Sequence, residues 1–215
     1  MCDVDDQNID AGTHHSEEAK LVQQANILKH SGGLVVFSNL RTASVQVIHT
    51  NSQTIHLQVT EDTISYFLSC VYVRPHVVMK DAFQEDLQNF ATSVNIPWVV
   101  IGDFNDLAFS HEKSGGAAFA VNRARKFIDR WDLCNLSDLG AFGSKFTWVR
   151  KINGRVVVRE RLDRVLVNDL AREEFVEAKV LNLPRLHSDH HPILFNSTMM
   201  APPPKENRPY RFQAA

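Results

Sequence analysis

The chain has 215 residues, 44% of them apolar, which allows one domain with a sizeable core and is a globular rather than a disordered composition. Lys plus Arg number 23 against 25 Asp plus Glu, a net charge of −2, so bulk charge advertises no polyanion partner; nucleic-acid contact has to come from local basic clusters. Cys2, Cys70 and Cys134 are far apart and in no metal spacing, which fits an intracellular, reducing setting, and no run approaches the roughly 18 apolar residues of a membrane span. The acidic N-terminus has the pattern of neither a signal nor a transit peptide.

In chain order, residues 1–30 are polar and acid-rich and read as a loosely held arm, with a short helix around Glu17–Leu28. Ser31-Gly32-Gly33 then introduces a strand over Leu34–Phe37. Val45–Ile48 and Ile55–Val59 form two more around an Asn51-Ser52 turn, and Ile64–Val73 is a long apolar strand stopped by Pro75. Asp81–Val94 is the clearest helix, with Phe83, Leu87, Phe90 and Val94 on one face and Asp81 as the cap with Gln84 three residues on. Trp98–Ile101 reads as a buried strand ended by Gly102. Ser114-Gly115-Gly116 is a flexible loop before a second amphipathic helix carrying Val121, Ala124, Phe127, Ile128 and Trp131. Asn153-Gly154 between apolar runs signals a hairpin. Leu162–Val167 is a strand, Asn168 caps a short helix to Phe175, and Val180–Leu183 and His191–Phe195 are the last strands. From Pro202 the chain is linker-like. Many strands, few helices and mixed connections point to an α+β fold of two stacked mixed β-sheets flanked by helices.

Three polar clusters sit at strand ends. After Gly102, alternation puts Asp103 and Asn105 on one side, suited to a metal, a water or a phosphate, with Phe104 turned into the core. The bland alternative is an Asx-type turn. Arg161-Leu162-Asp163-Arg164 and His187-Ser188-Asp189-His190 lead into apolar runs and can build a carboxylate–imidazole couple, which holds an imidazole oriented and favours its protonated form. Taken singly they read equally as surface ion pairs and turns. Arg150, Lys151, Arg155, Arg159, Arg161 and Arg164 form a basic run, diluted by Glu160 and Asp163, that suits either a DNA backbone or a solvated hairpin face.

Together and in this order, Tyr72, Gly102-Asp103-Phe104-Asn105, Thr147-Trp148, Arg161-Leu162-Asp163-Arg164 and Ser188-Asp189-His190 resemble the endonuclease/exonuclease/phosphatase superfamily. Ser31–Leu34, Pro97-Trp98 and the final Arg208-Pro209-Tyr210-Arg211-Phe212 look like the endonuclease domain of plant LINE-type non-LTR retrotransposons. The resemblance implies a four-layer sandwich over residues 31–197, an unrelated or poorly ordered arm over 1–30 and a Pro-rich tail over 198–215. It also implies Mg²⁺-dependent (or Mn²⁺-dependent) phosphodiester hydrolysis on DNA. Asp103 would orient or deprotonate the attacking water, and Asn105 would hold that water or the phosphate. His190 would contact the phosphate with Asp163 as its orienting partner, and Tyr72 would donate to a phosphate oxygen. Asp189 and Asp103 would hold the metal, and Thr147, Trp148 and Arg161 would line the substrate side. Read bottom-up, Tyr72 is equally a strand-end tyrosine with a wet hydroxyl, and Trp148 a packing residue.

The family opens with a strand bearing a catalytic Asn and a second followed by a metal-binding Glu. Only 30 residues precede Ser31 here, and neither Asn8 nor Glu18-Ala19-Lys20 follows an apolar strand. The expectation is therefore a domain short of its opening strands and impaired as an enzyme. Its rival is a catalytically silent remnant or weak nucleic-acid-binding module. A phosphatase or lipid phosphodiesterase is disfavoured by the Arg-Pro-Tyr-Arg-Phe tail. The resemblance further implies a reverse transcriptase domain as C-terminal partner and an intracellular, nuclear location.

Overall fold

The computed structural model describes residues 26–31, 33–38 and 43–198. The tail motif at 208–212, most of the acidic arm and the Cys2, Glu17 and Glu18 positions lie outside them. Strands β1 (Asn26–Ser31) and β2 (Leu34–Ser38) form an antiparallel pair, so residues 26–28 are extended rather than the end of a helix. Strands β3 (Ala43–Thr50) and β4 (Thr54–Glu61) are joined by a turn in which the Asn51 side chain accepts from the N–H groups of Gln53 and Thr54 at 2.8 and 2.9 Å. Strand β5 (Ile64–Tyr72) leads into helix α1 (Val77–Ala91), and β6 (Trp98–Asp103) follows. Helix α1 begins four residues before Asp81, at Val77, and its N-cap His76 makes no side-chain cap; Asp81 instead pairs with Arg130 at 2.6 Å.

A 3₁₀ turn at Ser110–Glu112 runs into β7 (Lys113–Gly115) and then α2 (Val121–Asp132). Of the stretch Ser114-Gly115-Gly116 expected as a flexible loop, the first two residues thus belong to a short strand, paired with Arg159 and Val158. Short strands β8 (Ser137–Asp138) and β9 (Phe142–Gly143) precede the hairpin of β10 (Trp148–Ile152) and β11 (Arg155–Glu160). Asn153 and Gly154 turn this hairpin with φ of 50° and 76°, the left-handed pair that a two-residue hairpin needs. Strand β12 (Asp163–Val167), helix α3 (Asp169–Glu174), β13 (Lys179–Asn182) and β14 (Ile193–Asn196) complete the chain. Asn168 caps α3 by accepting from the Ala171 N–H, and the same oxygen accepts from the Trp98 N–H, both at 2.9 Å.

The main sheet has six strands in the order β3-β4-β5-β6-β12-β8, with β5 and β6 parallel and the other neighbours antiparallel. Its central strands are covered on both faces, which is why β6 reads as a continuous apolar run. Trp98 and Val100 pack with Phe83 and Leu87 of α1 and Phe127 and Trp131 of α2. Val99 packs with Val165, Val167 and Phe175 and with Val180 of β13. The three-stranded sheet β14-β13-β9 therefore stacks on the face opposite α1 and α2, an α+β arrangement of layered mixed sheets. Cys70 and Cys134 are free thiols, and burial pushes both up to about 11. Among the described residues no helix is long and apolar enough to cross a membrane.

A buried ionic network ties the start of β12 to its surroundings. Arg164 donates to both carboxylate oxygens of Glu112 at 3.0 and 2.9 Å and to Asp138 at 2.9 Å, and its guanidinium lies 5.2 Å from the ring centres of Phe127 and Trp131. Arg161 pairs with the same two acids at 2.9 and 2.7 Å. Burial alone raises the Glu112 and Asp138 carboxyls, but hydrogen bonds and charge from the two arginines outweigh it and hold both below the ordinary range. Groups depressed in the native state stabilise it above the ordinary carboxylate pKa of about 4 and lose that contribution as pH falls through their native values. Glu112→Gln is therefore expected to lower stability by about 3–5 kcal/mol at neutral pH, the scale for breaking a buried ion pair. Denaturant unfolding across the acid range is expected to show a shallower pH slope in this variant than in the parent.

Candidate active site

Gly102 fixes how the central strands end. Its φ of 145° suits glycine, and a Cβ there would lie 2.0 Å from the carbonyl oxygen of Val71. That close approach lets β5, β6 and β12 carry their last and first residues into one row, with Tyr72 paired to Asp103 and Asp103 paired to Asp163. Phe104 turns into the core beneath α1 and α2, as alternation requires. Asp103 and Asp163 continue the parity of Ile101 and Val165, so they point towards the second sheet.

From that second sheet comes His190. The segment before β14 is bonded to the start of β10: Val149 N–H donates to the Asp189 carbonyl at 3.0 Å and His191 N–H to the Thr147 carbonyl at 2.7 Å. This puts His190 Nδ1 2.9 Å from Asp163 Oδ2, leaving Nε2 as the outward nitrogen. The ligand atoms of Asp103, Asp163 and His190 all lie within 4.8 Å of one another. Asp163's hydrogen bond raises the His190 pKa against the lowering effect of burial, with the charges of Asp163 and Asp103 adding to it. Burial first, and the Asp163 charge second, push Asp103 up to about 6. Asn105, at φ 49°, clamps Asp103 from the other side: its N–H donates to Oδ1 at 2.8 Å and its carboxamide to Oδ2 at 2.9 Å. A cavity of about 430 Å³ opens beside Asn105, walled by Leu107, Phe119 and Leu162 and edged by Lys113 and Arg123.

The remaining expected site residues fall in different places. Tyr72 is 39% exposed at the end of the row, open to a ligand. Asp189 is exposed and lies outside the three-residue cluster, its Oδ2 accepting from Trp148 Nε1 at 2.9 Å. That N–H is the main reason its carboxyl sits below the usual range. Thr147 does not line the substrate side. It is fully buried, and its hydroxyl accepts from the N–H groups of Leu162 and Asp163 at 2.9 and 3.0 Å, fixing the start of β12. Arg161 is likewise no substrate contact, because its guanidinium is committed to Glu112 and Asp138. Sequence reasoning passed over Lys80, Asp106 and Arg123, which surround the Asn105 backbone; the only sequence signal for them is that Asp106 directly follows Asn105.

Two carboxylates side by side, Asp103 pushed up by burial first and by its like-charged neighbour second, offer oxygen donors that suit a hard divalent cation, whose charge relieves that repulsion, with an imidazole within 4.8 Å. The fold is thus an α+β sandwich of layered mixed sheets with an acidic, imidazole-bearing end. The profile of the Endonuclease/Exonuclease/phosphatase family matches residues 3–190, and the chain belongs to that family. Among solved structures it is similar to the endonuclease domain of TRAS1, a telomere-specific non-LTR retrotransposon, at 15% identity and a TM-score of 0.62, over 84% of this chain and 89% of that one. It is also similar to D. rerio TDP2 complexed with single-strand DNA product (14% identity, TM-score 0.51, 85% and 81% covered). A Staphylococcus aureus beta toxin mutant with bound magnesium ions matches at 11% identity and a TM-score of 0.50, over 80% and 67%. No curated protein matches in sequence.

Asp163→Asn is expected to bring the His190 pKa down, because burial then acts with less opposition; an NMR titration of the imidazole reads it. The raised native value also means that the couple's contribution to stability is complete below about pH 6.5 and is lost as pH rises through the native pKa. Thr147→Val strands two buried N–H groups and is expected to cost about 1–3 kcal/mol for each, measured as a shift in the unfolding midpoint.

Proposed function

We propose that the chain is a divalent-metal-dependent phosphodiesterase that nicks DNA, the endonuclease domain of a non-LTR retroelement. The observation that carries this reading is the Asp163–His190 couple set within 4.8 Å of Asp103. His190, whose charged form the Asp163 hydrogen bond favours, donates from Nε2 to a non-bridging phosphate oxygen, and Tyr72 donates from the end of the row. Asp103, fixed by Asn105, accepts a proton of the attacking water as the P–O3′ bond breaks, which leaves a 3′ hydroxyl and a 5′ phosphate. Asp103, with Asp189 from the segment that carries His190, would hold Mg²⁺ or Mn²⁺. Such an ion neutralises charge that builds up on the phosphoryl oxygens.

DNA as the substrate draws on the similarity to the TRAS1 endonuclease domain and to TDP2 complexed with single-strand DNA product. It is supported by Arg150, Lys151, Arg155 and Arg159, all exposed on the β10–β11 hairpin next to Trp148. The plant LINE-type motifs extend the reading to a reverse transcriptase domain in the same polyprotein and to action in the nucleus.

A second reading, binding of nucleic acid without cleavage, is favoured by how few free carboxylates the site offers. Asp163 is engaged by His190 and Asp189 by Trp148, whereas Mg²⁺ prefers near-octahedral oxygen ligation. Incubation with supercoiled plasmid in Mg²⁺ separates the two. Nicking is expected, reduced on the order of 10²–10³-fold by His190→Ala. Gel retardation of DNA with no nicking at any Mg²⁺ or Mn²⁺ concentration would establish the binding module instead. Calorimetry is expected to give weak Mg²⁺ binding; a single tight site would bring in a further acid, with Glu17 and Glu18 the first to substitute.

A further inference from the structure

The peptide after Asp103 is gripped by two cations that the hydrolytic reading does not use. Lys80, on α1 and 6% exposed, donates from Nζ to the main-chain carbonyl of Asn105 at 2.7 Å and pairs with Asp106. Arg123, on α2, donates from Nη2 to the same carbonyl at 2.7 Å and pairs through Nε with the other oxygen of Asp106, whose side chain is 3% exposed. An ion pair that merely tied α1 to α2 would need only the Asp106 carboxylate. Both cations also seize the carbonyl of a non-glycine residue at φ 49°, a conformation that L side chains adopt sparingly and that persists where its surroundings enforce it. In that conformation the Asn105 N–H and carboxamide reach the two oxygens of Asp103 together.

We propose that Lys80 and Arg123 are positioning residues: by holding the Asn105 carbonyl from two helices, they lock the backbone turn through which Asn105 aims the Asp103 carboxylate. Neither touches the reacting atoms. The proposal rests on the hydrolytic role of Asp103, so its test carries one readout that needs no turnover.

That readout is the pair of Asn105 carboxamide proton resonances in the metal-free protein, followed in the parent and in Lys80→Met, Lys80→Arg and Arg123→Ala. The parent is expected to show shifts of a carboxamide fixed in two hydrogen bonds, to Asp103 and to the Val73 carbonyl at 3.0 Å. Lys80→Met is expected to move them towards free-carboxamide values and to lower kcat for plasmid nicking about 10–100-fold, the scale of a slightly misaimed group, with KM changed less than about threefold. Lys80→Arg is expected to restore both most of the way. Arg123→Ala, at a side chain 55% exposed, is expected to act in the same direction with little change in thermal midpoint. Unchanged Asn105 resonances in folded Lys80→Met, or in Arg123→Ala if Lys80→Met does not fold, would overturn the proposal, whatever happens to stability. Absence of nicking by the parent would instead overturn the hydrolytic reading, and the resonances would still decide whether the clamp exists.

Discussion

Across the ladder of β6 and β12, Asp103 stands directly opposite Asp163, two carboxylates set side by side by register. Like charges in that position destabilise a strand pair, so something else has to hold the register. That something is the apolar set behind them: Val99, Val165 and Val167 on one face, Val100 and Leu166 on the other, all essentially without exposure. A slip of one residue would carry both faces of two buried strands into the wrong layer. The repulsion at the strand ends is thus imposed by the core, and it is what gives the site its chemistry. It adds to the burial that pushes Asp103 up to about 6, and the same two carboxylates, Asp163 first through its hydrogen bond, favour the charged form of His190.

The elements that the sequence reveals are those whose cause is local. The β10–β11 hairpin follows from Asn153-Gly154, the α3 cap from Asn168, and the central strand from its unbroken apolar run. Asp103, Asp163 and His190 were legible because each stands where a strand begins or ends, and strand ends gather at one edge of a sheet. The start of α1 was not. Val77 and Val78 are exposed apolar residues, so the amphipathic pattern becomes clean only from Asp81, where a capping-box spacing occurs by coincidence. Thr147 and Arg161 were misplaced for a different reason. Their partners are fixed by the fold: the Thr147 hydroxyl serves backbone 15 and 16 residues away, and Arg161 meets Glu112 across 49 residues. A polar residue beside a motif looks the same in sequence whether it faces a ligand or buttresses the strand that does.

The same long-range pairing explains why the site stays acidic in a neighbourhood rich in cations. Lys80, Arg123, Arg161 and Arg164 all lie close to the Asp103–Asp163 row in sequence or in space. A cation left without a partner beside a carboxylate row competes with an incoming metal ion. Each is claimed elsewhere: Lys80 and Arg123 by Asp106, Arg161 and Arg164 by Glu112 and Asp138. Desolvating so many charges is expensive, and apolar side chains of similar volume would often serve stability as well. What apolar replacements cannot do is place rigid positive charge under the backbone of Asn105 and at the root of β12 while leaving the carboxylates above unneutralised. Among the described residues no protein cation is bonded to the Asp103 carboxylate, which Asn105 holds beside His190, the condition in which a metal ion or the proton of a water can be taken up.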